Sequence, residues 1–140
     1  LEKRFRTKAP YVPRLTWWSD VEIGVSPYER YVDLYVHYRP RWPFFILTLI
    51  LVICNRKPVP VTRQEVVDWE VFASLMKSVK KVWRVWLGIA SSRGFTKDAI
   101  DYVNLIDRKD LGIVLVDTKL KKIVAYSKAQ GKKALKWLNP

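Results

Sequence analysis

Cysteine and histidine are almost absent from this chain: among its 140 residues there is one of each, Cys54 and His37. A lone cysteine excludes an intrachain disulfide and any cysteine-rich zinc site. A lone histidine argues against a histidine-based metal centre and against a Ser-His-Asp triad. Set in "YVHY", His37 reads as a structural strand residue. Acids are scarce too, with 13 Asp+Glu against 26 Lys+Arg and a net charge of +13. Heat-stable proteins enrich both charge signs, whereas an excess of cations alone points to a polyanionic partner, nucleic acid first. The longest apolar run, Phe44 to Cys54, has about half of the ~20 residues that a membrane helix needs. No signal-peptide pattern is visible, and the opening at Leu1 instead of a Met predicts sequence upstream. These absences predict a cytoplasmic protein with no membrane partner.

What is present suits one packed domain. The chain is 49% apolar and 28% charged, with Gly 5 and Pro 8, which is core material without a disorder signature. Residues 1–19 contain Lys3, Arg4, Arg6, Lys8 and Arg14 with two prolines and no clear period, and read as a basic N-terminal arm. Residues 20–140 read as an α/β domain. "DVEIGV" (20–25) and "RYVDLYVHY" (30–38) are strand candidates, and "RPRWP" (39–43) is a turn leading into the apolar run. That run is rich in β-branched and aromatic residues and has no polar alternation, as expected of a strand covered on both faces. Cys54 within it reads as a small buried hydrophobe.

After Asn55 the period changes to that of a helix, with Val66, Trp69, Phe72, Ala73, Met76 and Val79 on one face. Thr62 and Glu65 form a T-x-x-E capping box that sets the helix start, and the helix should run to about Lys81. "VWRVWLGIA" (82–90) is a strand, "SSRGF" a loop, "TKDAIDYVNLI" (96–106) a helix capped by Thr96, and "LGIVLVD" (111–117) a buried strand. "KLKKIVAYSKAQGKKALKWL" reads as basic helical turns, its lysines a solvated helix face or a polyanion contact. The order β-β-β-α-β-α-β-α predicts an α/β fold with a mixed sheet. Trp69, Trp83 and Trp86 fall at core-compatible positions. Trp17, Trp18, Trp42 and Trp137 fall in loops or ends, where they could stack on bases or meet a partner chain.

In order along the chain, "YVDLYV", a hairpin, "LVICNRKPVPVTRQEVVDW", "LGIASSRGFTKDAIDYV" and "LGIVLVD" resemble the PD-(D/E)xK nuclease-like superfamily. The similarity is greatest to Mrr-type restriction endonucleases and archaeal Holliday-junction resolvases. The resemblance covers roughly residues 20–120, and its most specific parts are "NRKPVPVT" before a capped helix and "SSRGFTKDA". It implies a restriction-endonuclease-like core, a central mixed sheet flanked by helices, with a homodimer or a larger complex among the expected assemblies.

It also implies a site for metal-assisted phosphodiester hydrolysis, in which two carboxylates hold Mg²⁺ and a Lys assists the attacking water. The family's Asp falls on Asp33, but its Glu falls on Ile53 and its Lys on Asn55. Ile53 offers no metal ligand and Asn55 only a neutral amide, so the resemblance implies a degenerate centre without a cofactor. Were it active, Asp33 would bind Mg²⁺, Lys57 would replace the family's Lys on the same strand face as Asn55, and Glu65 or Asp68 would supply the second carboxylate. The same resemblance lays duplex nucleic acid, DNA in the first instance, over the motif edge of the sheet. Arg39, Arg41, Arg56, Lys57, Arg63 and Arg93 are the expected phosphate contacts there. Arg93 also precedes a helix N-terminus, which favours phosphate. Two other readings compete with this binding module: a divergent Mg²⁺-dependent endonuclease, and a structural subunit that docks through exposed Trp.

Overall fold

The apolar run becomes β3 (Thr48–Cys54), and it is covered on both faces. Leu49, Leu51 and Ile53 point into one buried cluster and Ile50 and Val52 into a second, so the pleat alternates between two cores. The same alternation continues in β4 (Arg84–Ser91) and β5 (Leu111–Asp117), with Val85, Leu87, Ile89, Ile113 and Leu115 on the first face and Trp86, Val114 and Val116 on the second. Each fully buried Leu or Ile contributes about 1.5–3 kcal/mol of transfer free energy. These three strands are the energetic centre of the molecule.

The computed structural model describes residues 19–24, 34–40 and 48–138. They form a six-stranded mixed sheet in which spatial order follows chain order. β1 (Ser19–Gly24), β2 (Leu34–Pro40) and β3 form an antiparallel meander, with Glu22 opposite His37 and Leu34 opposite Val52. β3, β4 and β5 are parallel, and β6 (Lys122–Tyr126) closes the far edge antiparallel to β5. Parallel neighbours require crossovers, which are α1 (Arg63–Lys80) and α2 (Lys97–Leu105). Both advance the sheet in the same direction, so both pack on the first face through Val66, Ala73, Met76, Ala99 and Val103. α3 (Gln130–Leu138) covers the second face with Ala134 and Leu138. The fold is α/β, a mixed sheet between helices, as the sequence predicts.

Capping explains where the crossovers begin. The Thr62 hydroxyl accepts from the Glu65 amide at 3.3 Å and the Thr96 hydroxyl from the Ala99 amide at 3.4 Å, which satisfies a first-turn N–H in each helix. α1 ends where Lys81 adopts φ 53 and its amide returns to the carbonyls of Lys77 and Ser78. A polar clamp joins α1 to α2 and to the turn before β5. Arg108 donates to both Asp110 oxygens (3.0 and 2.9 Å), to Glu70 (3.2 Å) and to Ser74 (3.1 Å), while the Tyr102 hydroxyl donates to Glu70 at 2.6 Å.

Four expectations are corrected. The basic C-terminal stretch contains β6 before its helix, giving β-β-β-α-β-α-β-β-α. Its apolar alternation is brief, and lysines surround it because β6 is an edge strand with one side toward water. β2 runs to Pro40, into the residues expected to turn. Among the described residues Arg39 and Pro40 pair with β1, and Pro40 lies opposite Ser19 at the end of the strand, a position proline tolerates. Val79 and Trp83 are exposed at 49% and 61%, and Cys54 is exposed at the end of its strand. Residues 30–33 and 41–47 of the predicted hairpin, the arm before residue 19 and the side chain of Trp137 lie outside the described residues.

α3 sits close to the sheet because Gly112 lacks a side chain: a Cβ there would lie 2.6 Å from the Gln130 carbonyl carbon. Trp86 Nε1 fixes the same end by donating to Gln130 Oε1 at 3.0 Å. Gly112→Ala is therefore expected to lower stability by about 1–3 kcal/mol through overpacking against backbone, measured as a lower urea midpoint at constant slope. The clamp predicts a pH effect. Burial, and then the hydrogen bond to Glu70, push the Tyr102 phenol up to about 12, above its unfolded value of roughly 10. Its contribution is thus complete below pH ~10 and lost as pH rises toward about 12. Tyr102→Phe should cost about 1 kcal/mol at neutral pH, and the gap to the native chain should close across that alkaline window in pH-dependent urea melts.

Candidate nucleic-acid interface

The parallel strands end together, and their carboxyl ends carry three turns that are fastened to one another. Ser91, the last residue of β4 and buried, is the fastener. Its hydroxyl accepts from Asn55 Nδ2 at 3.1 Å and from the Arg93 amide at 3.1 Å, and its carbonyl accepts from the Thr118 amide at 3.1 Å. Asn55 completes the lock from the β3–α1 turn: Nδ2 also donates to the Val59 carbonyl at 2.9 Å, and Oδ1 accepts from the Lys57 amide at 3.1 Å. A parallel bridge between Val61 and Phe95 ties the starts of α1 and α2, with Val61 N donating to Gly94 O and Thr96 N to Val61 O. Gly94 turns at φ 76, and a Cβ there would come within 3.8 Å of Asp117 Oδ2. The β3, β4 and β5 turns thus form one surface, at the end of the sheet where open α/β folds commonly place ligands.

Cations line that surface. Arg56 and Lys57 are exposed in the first turn and Arg93 in the second. Arg63, the first residue of α1, is exposed with its guanidinium 5.1 Å from the Tyr102 ring centroid. Lys57 Nζ is 4.0 Å from Glu65 Oε2, a long pair between an exposed lysine and a half-buried glutamate, of small energy. The structure therefore brings Arg56, Lys57, Arg63, Glu65 and Arg93 to the carboxyl edge. Asp68 is exposed on α1 and accepts from Gln64 Nε2 at 2.9 Å. Arg39 belongs to β2, where its backbone pairs with Asp20. Asp33, Arg41 and the side chain of Arg39 lie outside the described residues.

Two further cations, Lys119 and Lys121, occupy the β5–β6 turn that Ser91 holds through Thr118. Reading this stretch as helix assigns them to a solvated helical face and hides their place at this edge. Asp117, which ends β5 and whose Oδ1 accepts from the Leu120 amide at 2.9 Å, was also missed. An acid terminating an otherwise apolar strand was the available signal.

The position of the resembled family's Glu is closed. Ile53 is 4% exposed and belongs to the core beneath α1 and α2. Asn55, at the position of the family's Lys, has its amide committed to the turn lock. Among the described residues no group of three or more His, Cys, Asp and Glu side chains is gathered as a metal-binding cluster, and no helix is long and apolar enough to cross a membrane. No family model matches the chain, and no curated protein or solved structure matches it either.

The lock should be measurable. Asn55→Ala removes two donations and one acceptance at the edge, with an expected loss of about 1–2 kcal/mol. Ile53→Glu places a carboxylate among apolar side chains and should lose at least ~3 kcal/mol, or drive the group to stay protonated. Urea unfolding of the two variants near neutral pH would check this order. A tolerated Glu at 53 would mean that the position opens to water.

Proposed function

We propose that this chain is a nucleic-acid-binding α/β domain, related to restriction-endonuclease-like proteins, that has kept a phosphate-binding edge and lost the metal centre. One observation carries the reading: exposed Arg56, Lys57, Arg63 and Arg93 sit on the turns and helix start at the carboxyl ends of the parallel strands, while Ile53, at the position of the resembled family's Glu, is buried in the core. Cations on one face of a chain of net charge +13 give sequence-independent, salt-sensitive attraction to phosphates. α1 and α2 both begin at this edge, so the partial positive charge of two helix N-termini adds to the same field. Duplex DNA is the partner we favour, with Arg39 and Arg41 as further expected phosphate contacts. The resembled family's second carboxylate falls on Ile53, whose side chain offers Mg²⁺ no ligand. A cytoplasmic setting suits a single exposed cysteine that cannot form an intrachain disulfide.

A second reading has one observation in its favour, since Lys57 and Glu65 lie 4.0 Å apart. In a divergent Mg²⁺-dependent endonuclease they would work with Asp33. One assay separates the two readings: labelled duplex, branched and single-stranded substrates, titrated at several salt concentrations and incubated with Mg²⁺ or Mn²⁺. The expected result is binding that weakens linearly with log salt, without cleavage. Lys57→Gln with Arg93→Gln should make the slope shallower by about one per cation removed, uniformly across sequences. Cleavage abolished by Asp33→Ala would establish the enzyme instead. Absence of binding at low salt would discard both.

A further inference from the structure

At the carboxyl edge the β5–β6 turn carries more than charge. Residues 118–121 cross between Asp117 and Lys122, which face each other as the last cross-strand pair at that end. Leu120 is 59% exposed there, and Lys119, Lys121 and Lys122 around it are exposed as well. Exposure alone says little of a single leucine. Its setting says more, because the turn is built to hold it still. Asp117 Oδ1 accepts from the Leu120 amide at 2.9 Å, Lys121 closes the turn at φ 53, and the Thr118 amide donates to the Ser91 carbonyl at 3.1 Å. The tip is thereby tied to the same serine that holds the β3 and β4 turns.

We propose that Leu120 is a wedge that enters the minor groove of a duplex held on this edge and partly unstacks one base step, while Lys119 and Lys121 hold the phosphates on either side of it. The wedge rests on the phosphate-binding edge proposed above and adds how the bound duplex is deformed. The minor groove is about 6 Å wide, which excludes a helix. A single side chain at the tip of a tight turn enters it. The walls of that groove are phosphate strands and its floor is base edges, so an apolar tip between cations matches both. Unstacking a step costs free energy, which is offset where the opened groove lies against more protein surface. Arg56, Lys57 and Arg93 on the adjoining turns supply that surface. Val59, 49% exposed on the β3–α1 turn, is a second apolar side chain at this edge, but its immediate neighbours are Pro58 and Pro60 instead of cations. It serves as the comparison.

Short A·T-rich duplexes carrying the fluorescent base aminopurine, one fully paired and one with a single mismatch beside that base, test this with the full 140-residue chain. The native chain should bind the mismatched duplex more tightly, on the order of tenfold, because a step already weakened costs less to open. Aminopurine fluorescence should rise as the base leaves its stack, and netropsin, which fills the minor groove, should suppress the rise. Leu120→Ala should abolish both the preference and the rise yet keep the native salt slope, because it removes no phosphate contact. Val59→Ala should keep all three. Lys119→Gln with Lys121→Gln should make the slope shallower by about one per cation. Leu120 is exposed on a turn, so circular dichroism should be unchanged by its substitution. Absence of binding at low salt would remove edge and wedge together. Salt-dependent binding without a fluorescence rise, a rise that survives Leu120→Ala or netropsin, or one lost equally in Val59→Ala would overturn the wedge and leave the phosphate edge standing.

Discussion

Three adjacent parallel strands with no polar face impose a constraint that the rest of the molecule obeys. β3, β4 and β5 are apolar on both sides, and neither side can meet water without exposing several large side chains. Helices must therefore cover both faces, and connections between parallel strands must be long enough to cross the sheet. α1 and α2 satisfy both demands on one face. α3 satisfies the first on the other, admitted by the missing side chain of Gly112. Polar chemistry is left with the strand ends and the outer helix surfaces, which is where the proposed functional features lie.

The carboxyl ends are the better organised of these places. A surface of separate flexible turns would hold cations loosely and lose entropy on binding a polyanion. Here Ser91 joins three turns through hydrogen bonds to Asn55, Arg93 and Thr118, so the cations on those turns are carried by backbone already fixed relative to one another. Asn55 has a clear role in this arrangement whether or not an ancestral site held a charged residue there. Its amide supplies two donors and an acceptor to the turn, which a lysine could not supply. Ile53 likewise has a sufficient reason to be apolar, since its side chain lies in the core beneath α1 and α2.

Legibility in the sequence followed the range of the interactions concerned. Features set within one turn of helix or one strand could be read directly: the Thr62 and Thr96 caps, the span of β5, and the doubly covered character of β3. Features set by distant residues could not. The Asn55–Ser91 bond joins positions 36 residues apart, and nothing in "ICNRK" announces it. β6 was lost because lysines crowd an apolar alternation too short to outweigh them. Lys119 and Lys121 were then assigned to the wrong element. Trp83 and Val79 were read as core from helical spacing alone, yet a helix can be apolar on more than one side, and only the packed structure says which side the sheet takes.

The outer flank of α1 leaves large apolar side chains in water. A chain of strong positive charge gains solubility from exposed lysines and has little reason to keep Val71, Leu75, Val79 and Trp83 in water. Single exposed apolar residues need no explanation, but a ridge along four turns of one helix, cleared of cations, does. The basic edge and the apolar ridge impose opposite physical demands, one needing a concentration of charge and the other its absence. α1 separates them by geometry, with its first turn at the edge of the sheet and its outer flank facing away from the core. The charged and the apolar features of this helix therefore use different side chains.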